Sequence, residues 1–213
     1  MLAAVDWLER ADAAIARYEG GETRGLDQRQ LTQLGNAAWA AGLSFLMAGR
    51  ESDAAEWLRR AAQRYRESWD DAPAGSWGRP IGAMKALLLA GDDASEAARW
   101  ALDAGAADAE SPIGRYAGTL ALLVLGDDLH ARILGSTLRE LADFPQDVAD
   151  ALVELAGTDR VDYEISLGHV LRSFEERTDF LEGVPVADTV LVLQRLAEPR
   201  GLAAELDPSP VLP

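Results

Sequence analysis

The chain has 213 residues, 48% of them hydrophobic and none of them cysteine, which is enough apolar material for a core and excludes disulfides, thiolate metal sites and cysteine nucleophiles. Acidic residues number 36 against 20 lysines and arginines, for a formal charge of −16; such a field repels nucleic-acid backbones and anionic membranes, so neither is an expected partner. The longest apolar run, from Thr119 to Leu125, falls far short of the roughly 20 residues that span a bilayer. The opening residues Met1 to Trp7 lack the basic and apolar regions of a secretory leader, and a soluble cytoplasmic protein is expected.

Along the chain, helix formers dominate and alternating β-branched runs are absent. Leu2, Val5, Leu8, Ala11, Ile15 and Tyr18 recur at helical spacing and predict an opening helix that ends at Gly20 and Gly21. A second helix is predicted from Asp27 to Ala48, with Leu31, Leu34, Ala38, Ala41, Phe45 and Met47 near a period of 3.6. Gly49 stops it, and a third helix follows from Ser52 to Ser68.

Internal repetition is the strongest signal. Leu46-Met-Ala-Gly49 returns as Leu88-Leu-Ala-Gly91 and again as Leu123-Val-Leu-Gly126. Pro80-Ile-Gly82 is echoed by Pro112-Ile-Gly114, and Asp92-Asp93 by Asp127-Asp128. Proline near a first turn, glycine at an end and acid at the next start are the punctuation of helix–turn–helix units. A weaker fourth unit is Val148 to Ala156 followed by Arg160 to Ser173. A last apolar helix is predicted from Val186 to Ala197, and the proline-punctuated residues after Gly201 predict an extended tail.

Counted from Gly35, the unit resembles the tetratricopeptide repeat, whose small and large positions fall on Ala38, Ala41, Gly42, Phe45, Gly49, Ala54, Leu58 and Ala61. Gly42 and Ala54 would let two helices approach closely, with Phe45 and Leu58 filling the space between them. Trp39 stands one residue later than the family's tryptophan, no proline closes the unit, and the glycine marks are unevenly spaced. The resemblance covers residues 35 to 140 and implies antiparallel helix pairs stacked as a short right-handed superhelix. The expected fold is therefore all-α, about nine helices in one domain: N-terminal helices over 1–34, repeat-like pairs over 35–142, divergent helices over 143–200 and a tail over 201–213. Near the C-terminus, Asp188 to Ala197, then Arg200 to Glu205 and Ser209 to Pro213, is similar to the close of some helical immunity proteins, which neutralise toxins in bacterial competition.

Chemistry-bearing constellations are sparse. His130 and His169 are the two histidines, neither in the helix-spaced pairs that hold zinc. His130 after Asp127 and Asp128 reads either as part of a mixed oxygen–nitrogen site or as a helical residue behind its caps. No Gly-x-Ser-x-Gly elbow or Walker loop occurs, so no catalytic residue, metal or cofactor is assigned.

The stretch Trp69 to Pro80 is the longest break in the repeat region and holds two tryptophans and Arg79. Trp77 and Arg79 would grip an anionic or aromatic group; equally, Trp69 and Trp77 would plug a joint between helix pairs, with Arg79 pairing to an acid. In a repeat frame, the inner groove would collect Trp39, Lys85 (the sole lysine), Arg115 and Tyr116. Arginines and a lysine there would receive a carboxylate or an acidic peptide terminus, although they do not reproduce the lysine–asparagine set of the known carboxylate-clamp repeats. They could as well neutralise neighbouring aspartates. The leading expectation is a non-catalytic adaptor that holds a protein or peptide at Trp39, Trp77, Arg79, Lys85, Arg115 and Tyr116, with a second copy of the chain also a conceivable partner. An alternative is an immunity-type inhibitor that covers a basic toxin with its acidic surface. A third is a small-molecule enzyme or sensor, which requires a deep closed pocket. The acidity itself reads either as a docking surface or as a compositional trait of a salt-loving or GC-rich organism, since the acids are scattered.

Overall fold

The computed structural model describes residues 6–22, 24–157 and 159–213, and within them every regular element is helical. Leu2 and Val5 of the expected opening helix lie outside the described residues. Ten α-helices follow one another: α1 Trp7–Gly21, α2 Gln28–Met47, α3 Glu51–Glu67, α4 Gly78–Leu89, α5 Ser95–Asp103, α6 Pro112–Val124, α7 Asp128–Leu138, α8 Gln146–Leu155, α9 Arg160–Glu176 and α10 Asp188–Ala197. The all-α expectation holds, with ten helices rather than about nine.

Local chemistry explains half of the starts. Asp27 caps α2 through a reciprocal box: its carboxylate accepts from the Arg29 and Gln30 amides, both at 2.8 Å, while the Gln30 side chain accepts from the Asp27 amide at 2.9 Å. Asp6, Ser111, Asp127 and Asp159 likewise cap α1, α6, α7 and α9. Pro112 occupies the first turn of α6, where its missing N–H costs nothing.

The echoed phrases are three copies of one helix ending. Gly49, Gly91 and Gly126 have φ of 68°, 76° and 74°, the left-handed region that a side chain would resist. At each, the glycine amide donates three residues back, to Leu46, Leu88 and Leu123. The following amide donates five back, from Arg50 to Phe45, Asp92 to Leu87 and Asp127 to Leu122, at 2.8 to 2.9 Å. This pair of bonds is the Schellman cap, and it satisfies carbonyls that would otherwise be left over at the helix end. The next helix then starts within a few residues, producing the hairpins α2–α3, α4–α5 and α6–α7.

Each of the first nine helices packs on its sequence neighbours. Gly42 meets Leu58 and the Ala54 carbonyl so closely that a Cβ there would stand 2.8 Å from Leu58 Cδ2. Tyr65 on α3 is clamped between Gly35 of α2 and Gly82 of α4; added Cβ atoms would lie 2.8 and 2.7 Å from its ring. Its hydroxyl donates to Asn36 Oδ1 at 2.9 Å, so the ring is buried without an orphaned polar atom. Burial of such a large side chain contributes roughly 2–3 kcal/mol.

The closing helix breaks the neighbour-to-neighbour order. α10 packs on α4 as well as on α8 and α9. A helix is only about 10 Å across, so the row of helices bends round α10. The tail folds back along it: the Ala187 amide donates to the Val211 carbonyl at 2.9 Å, and Gln194 exchanges two hydrogen bonds with the Ala204 backbone. Val211 is buried. None of the helices among the described residues is long and apolar enough to cross a membrane.

Candidate functional site

Four of the six residues singled out in the sequence meet at one cavity. Trp39 from α2, and Trp77, Arg79 and Lys85 at the start of α4 and along it, line a space of about 360 Å³. Tyr65 lies under it, and Leu181 and Asp188 close it from the C-terminal side. A second space of about 250 Å³ lies beyond, shares Trp39, Lys85, Leu181 and Asp188, and is walled by Phe174, Arg177 and Phe180. The strap 177–187 and α10 therefore occupy the face on which an open groove was expected.

The cations of this cavity already have partners. The Lys85 ammonium pairs with the Asp188 carboxylate, donates to Thr189 Oγ1 at 3.1 Å and sits 5.9 Å from the Trp39 ring centre. Burial is the largest influence and pulls its pKa down, but the attraction and hydrogen bond of Asp188 together with the Tyr116 phenol leave the pKa raised. Arg79 donates to Ser68 Oγ at 2.9 Å and to the Gln28 side-chain carbonyl. Among the described residues no carboxylate pairs with it, so the expected acid partner is replaced by a neutral amide and a hydroxyl. Burial alone lowers the Arg79 pKa. Trp77 is buried; its ring lies 6.0 Å from that of Trp69, and its indole nitrogen would meet a Cβ at Gly114 at 2.8 Å. It thus fills the junction between the starts of α4 and α6.

Arg115 lies apart from this cavity, and Tyr116 does not line it, although its buried phenol reaches the Lys85, Asp188 and Thr189 cluster behind it. Arg115 Nε donates to the Ala109 carbonyl at 3.2 Å and fastens the turn before α6. Tyr116 is buried against Phe144, with ring centres 5.7 Å apart. Burial raises its phenol pKa, against a smaller downward pull from Lys85. His130 bonds its own N-cap, Asp127, at 2.8 Å, and His169 is exposed. Among the described residues no three His, Asp or Glu side chains gather in a way that could hold a metal ion.

A larger cavity, about 740 Å³, opens between α3, α4 and α5. Arg59, Arg66, Trp69, Arg99 and Trp100 line it. The two rings meet edge to face at 5.3 Å, and the Arg66 guanidinium stacks 4.9 Å from the Trp100 ring centre. This grouping was not picked out from the sequence. Its traces are Arg59, Gln63 and Arg66 at helical spacing on α3, and Arg99-Trp100 on α5; only folding joins the two.

The surface also carries two apolar strips. Leu129 and Ile133 on α7 are 68% and 59% exposed, and Val161 and Ile165 on α9 are 66% and 54% exposed. Comparison with protein-family models, with curated proteins and with solved structures finds no match to this chain.

Proposed function

We propose that the chain is a non-catalytic scaffold of tetratricopeptide-like helix pairs that binds a basic protein partner through the outer faces of α7 and α9. One observation carries this reading: four of the seven large apolar side chains exposed among the described residues fall in these two helices. They form one-turn pairs, Leu129 with Ile133 and Val161 with Ile165. Single exposed leucines are ordinary on a soluble protein, whereas ordered apolar strips mark contact surfaces. The partner's sign follows from the chain's own charge of −16, which draws a basic surface and repels an acidic one. The cations of the inner cavity are satisfied within the chain, and in this reading that cavity joins α10 to the helix pairs. The recurrence of the Schellman cap at Gly49, Gly91 and Gly126 supports the repeat assignment.

The test is cross-linking in native cells with the wild-type chain and with the double variant Leu129→Glu/Ile133→Glu, both exposed positions whose change leaves the core alone. A basic protein captured by the wild type and lost by the variant, at unchanged helical circular dichroism, is the expected result. Equal capture by both, or capture of acidic proteins alone, would refute the strip assignment.

A second reading shares this surface and names the partner more narrowly: an immunity-type inhibitor that covers a basic toxin. The charge of −16 favours it. It expects a complex whose association slows steeply as salt rises, because steering between opposite charges is screened over about 10 Å at 0.1 M salt. A salt-independent association rate would speak against it.

A further inference from the structure

The cavity between α3, α4 and α5 brings a tryptophan pair together with arginines that are loosely held or unpaired. Among the described residues Arg99 makes no ion pair with any carboxylate within 4.0 Å. Arg66 reaches only Asp70, at 3.4 Å, and that aspartate side chain is 82% exposed, so the pair is held loosely in water. Arg59 is differently placed, in a two-pronged pair with Asp92 at 2.6 and 2.9 Å. The indole N–H of Trp100 is buried and has no acceptor, a condition that costs a folded protein free energy unless a ligand or water relieves it. Leu87 and four alanines supply an apolar floor.

From this we infer that the cavity is a binding site for a small planar organic anion: an aromatic ring bearing a carboxylate or phosphate. Its volume of about 740 Å³ suits such a molecule. The ring would lie on the apolar floor against Trp69 and Trp100, while the anionic group takes Arg66 and Arg99, to which it offers the oxygens that a guanidinium binds two at a time. Glu96 and Asp103 also line the cavity, so a cation must be considered. It is disfavoured because the Trp100 face that a cation would seek is already covered by the Arg66 guanidinium. A ligand cation would have to displace Arg66, whereas an anion keeps it in place. The inference rests on this cavity alone and stands or falls independently of the apolar strips on α7 and α9.

Three probes with one ring and different charge test it: 2-naphthoate, neutral 2-naphthamide and 2-naphthylmethylammonium. Each is titrated into the ¹⁵N-labelled full chain while the indole N–H resonances are followed, assigned by single Trp→Phe variants. The expected result is a saturable shift of Trp69 and Trp100 with 2-naphthoate, at least about tenfold tighter than with the ammonium probe. The Trp39 and Trp57 signals stay still. The variant Arg66→Met/Arg99→Met, whose stems preserve the packing, weakens 2-naphthoate by about tenfold and leaves the naphthamide affinity unchanged. Equal affinity for all three probes would overturn the proposal in favour of a merely apolar pocket. So would saturation at Trp39 instead, or no saturable shift at all. Repeating the titration with adenosine monophosphate and adenosine separates the two anions: tighter binding of adenosine monophosphate than of adenosine marks a site that takes phosphate, and equal weak binding of both beside tight 2-naphthoate marks one that takes carboxylate.

Discussion

The Lys85 ammonium of α4 and the Asp188 carboxylate at the first turn of α10 close on each other as an ion pair across 103 positions of sequence. The side chains are 11% and 20% exposed, so both charges have lost most of their water. Thr189 supplies a further acceptor for the lysine at 3.1 Å. The pair fixes where α10 lands on the helix pairs, and with it the strap that closes the inner cavity.

Removing one partner of such a pair strands the other charge. Lys85→Met should lower stability by about 3 kcal/mol, read as the urea midpoint shift at constant slope. Lys85→Met/Asp188→Leu should recover most of that loss, because an apolar contact replaces the stranded carboxylate. Recovery stays incomplete, since Asp188 also favours the start of α10 as an acid in its first turn. A double variant no more stable than the single one would mean that the pair does not couple.

The same neighbourhood sets a pH limit. The folded pKa of Lys85 is raised, and burial raises those of Tyr65, Tyr116 and Tyr163. A raised folded value means that stabilisation is fully present below the unfolded pKa, about 10 for both residue types, and is lost as pH rises through the folded value. Stability should therefore stay flat from about pH 7 to 9 and fall above about 10. Phenolate absorbance at 295 nm should appear for these tyrosines together with unfolding, not before it. Ionisation of all four tyrosines of the chain ahead of unfolding would contradict this.

Two kinds of glycine carry the helix pairs, and their variants should differ. At Gly49, Gly91 and Gly126 an added Cβ meets nothing within 4 Å, so alanine costs only the left-handed backbone, about 1 kcal/mol each. At Gly35 and Gly82 the backbone is helical and alanine would ordinarily help, but its Cβ would strike the Tyr65 ring from either side. These variants should cost about 2 kcal/mol or more. In the Tyr65→Leu background the penalty of Gly82→Ala should shrink, which a thermal-denaturation cycle would measure.

That division also explains what was legible in the sequence. Helix ends depend on a few adjacent residues, so the box at Asp27 and the caps at Gly49, Gly91 and Gly126 could be read directly. Trp39 and Lys85 could be grouped from the repeat frame, and Trp77 and Arg79 from the break that enters the next unit. Their engagement could not be read, because Asp188, Thr189 and Gln28 reach them from distant parts of the chain. Arg115 turns instead to the Ala109 carbonyl, and Tyr116 reaches the Lys85 cluster only from behind, because α10 fills the space between helix pairs. The cavity of Arg66 and Trp100 joins two helices that carry no shared motif, and its residue types are common enough to pass unnoticed until packed together.

Arg200 gives the sharpest test of how the C-terminus is held. Just past α10, it donates to the Leu123 carbonyl at 2.6 Å, to Asp128 at 2.6 Å and to the Leu196 carbonyl at 2.6 Å. Leu123 is also the acceptor of the Gly126 amide, so the guanidinium engages the second lone pair of a carbonyl inside the third Schellman cap. Its side chain is 14% exposed. Arg200→Met should cost about 2–3 kcal/mol through the carbonyls and carboxylate left unpaired. Arg200→Lys should restore less than half, because a single ammonium cannot span acceptors on α6, α7 and α10 as a planar fork does. Hydrogen exchange locates the effect: the Gly126 and Asp127 amides should exchange faster in both variants, while the equivalent Gly91 and Asp92 amides, which have no such clamp, keep their rates. If all three caps loosen together, Arg200 acts on global stability and the local clamp is refuted.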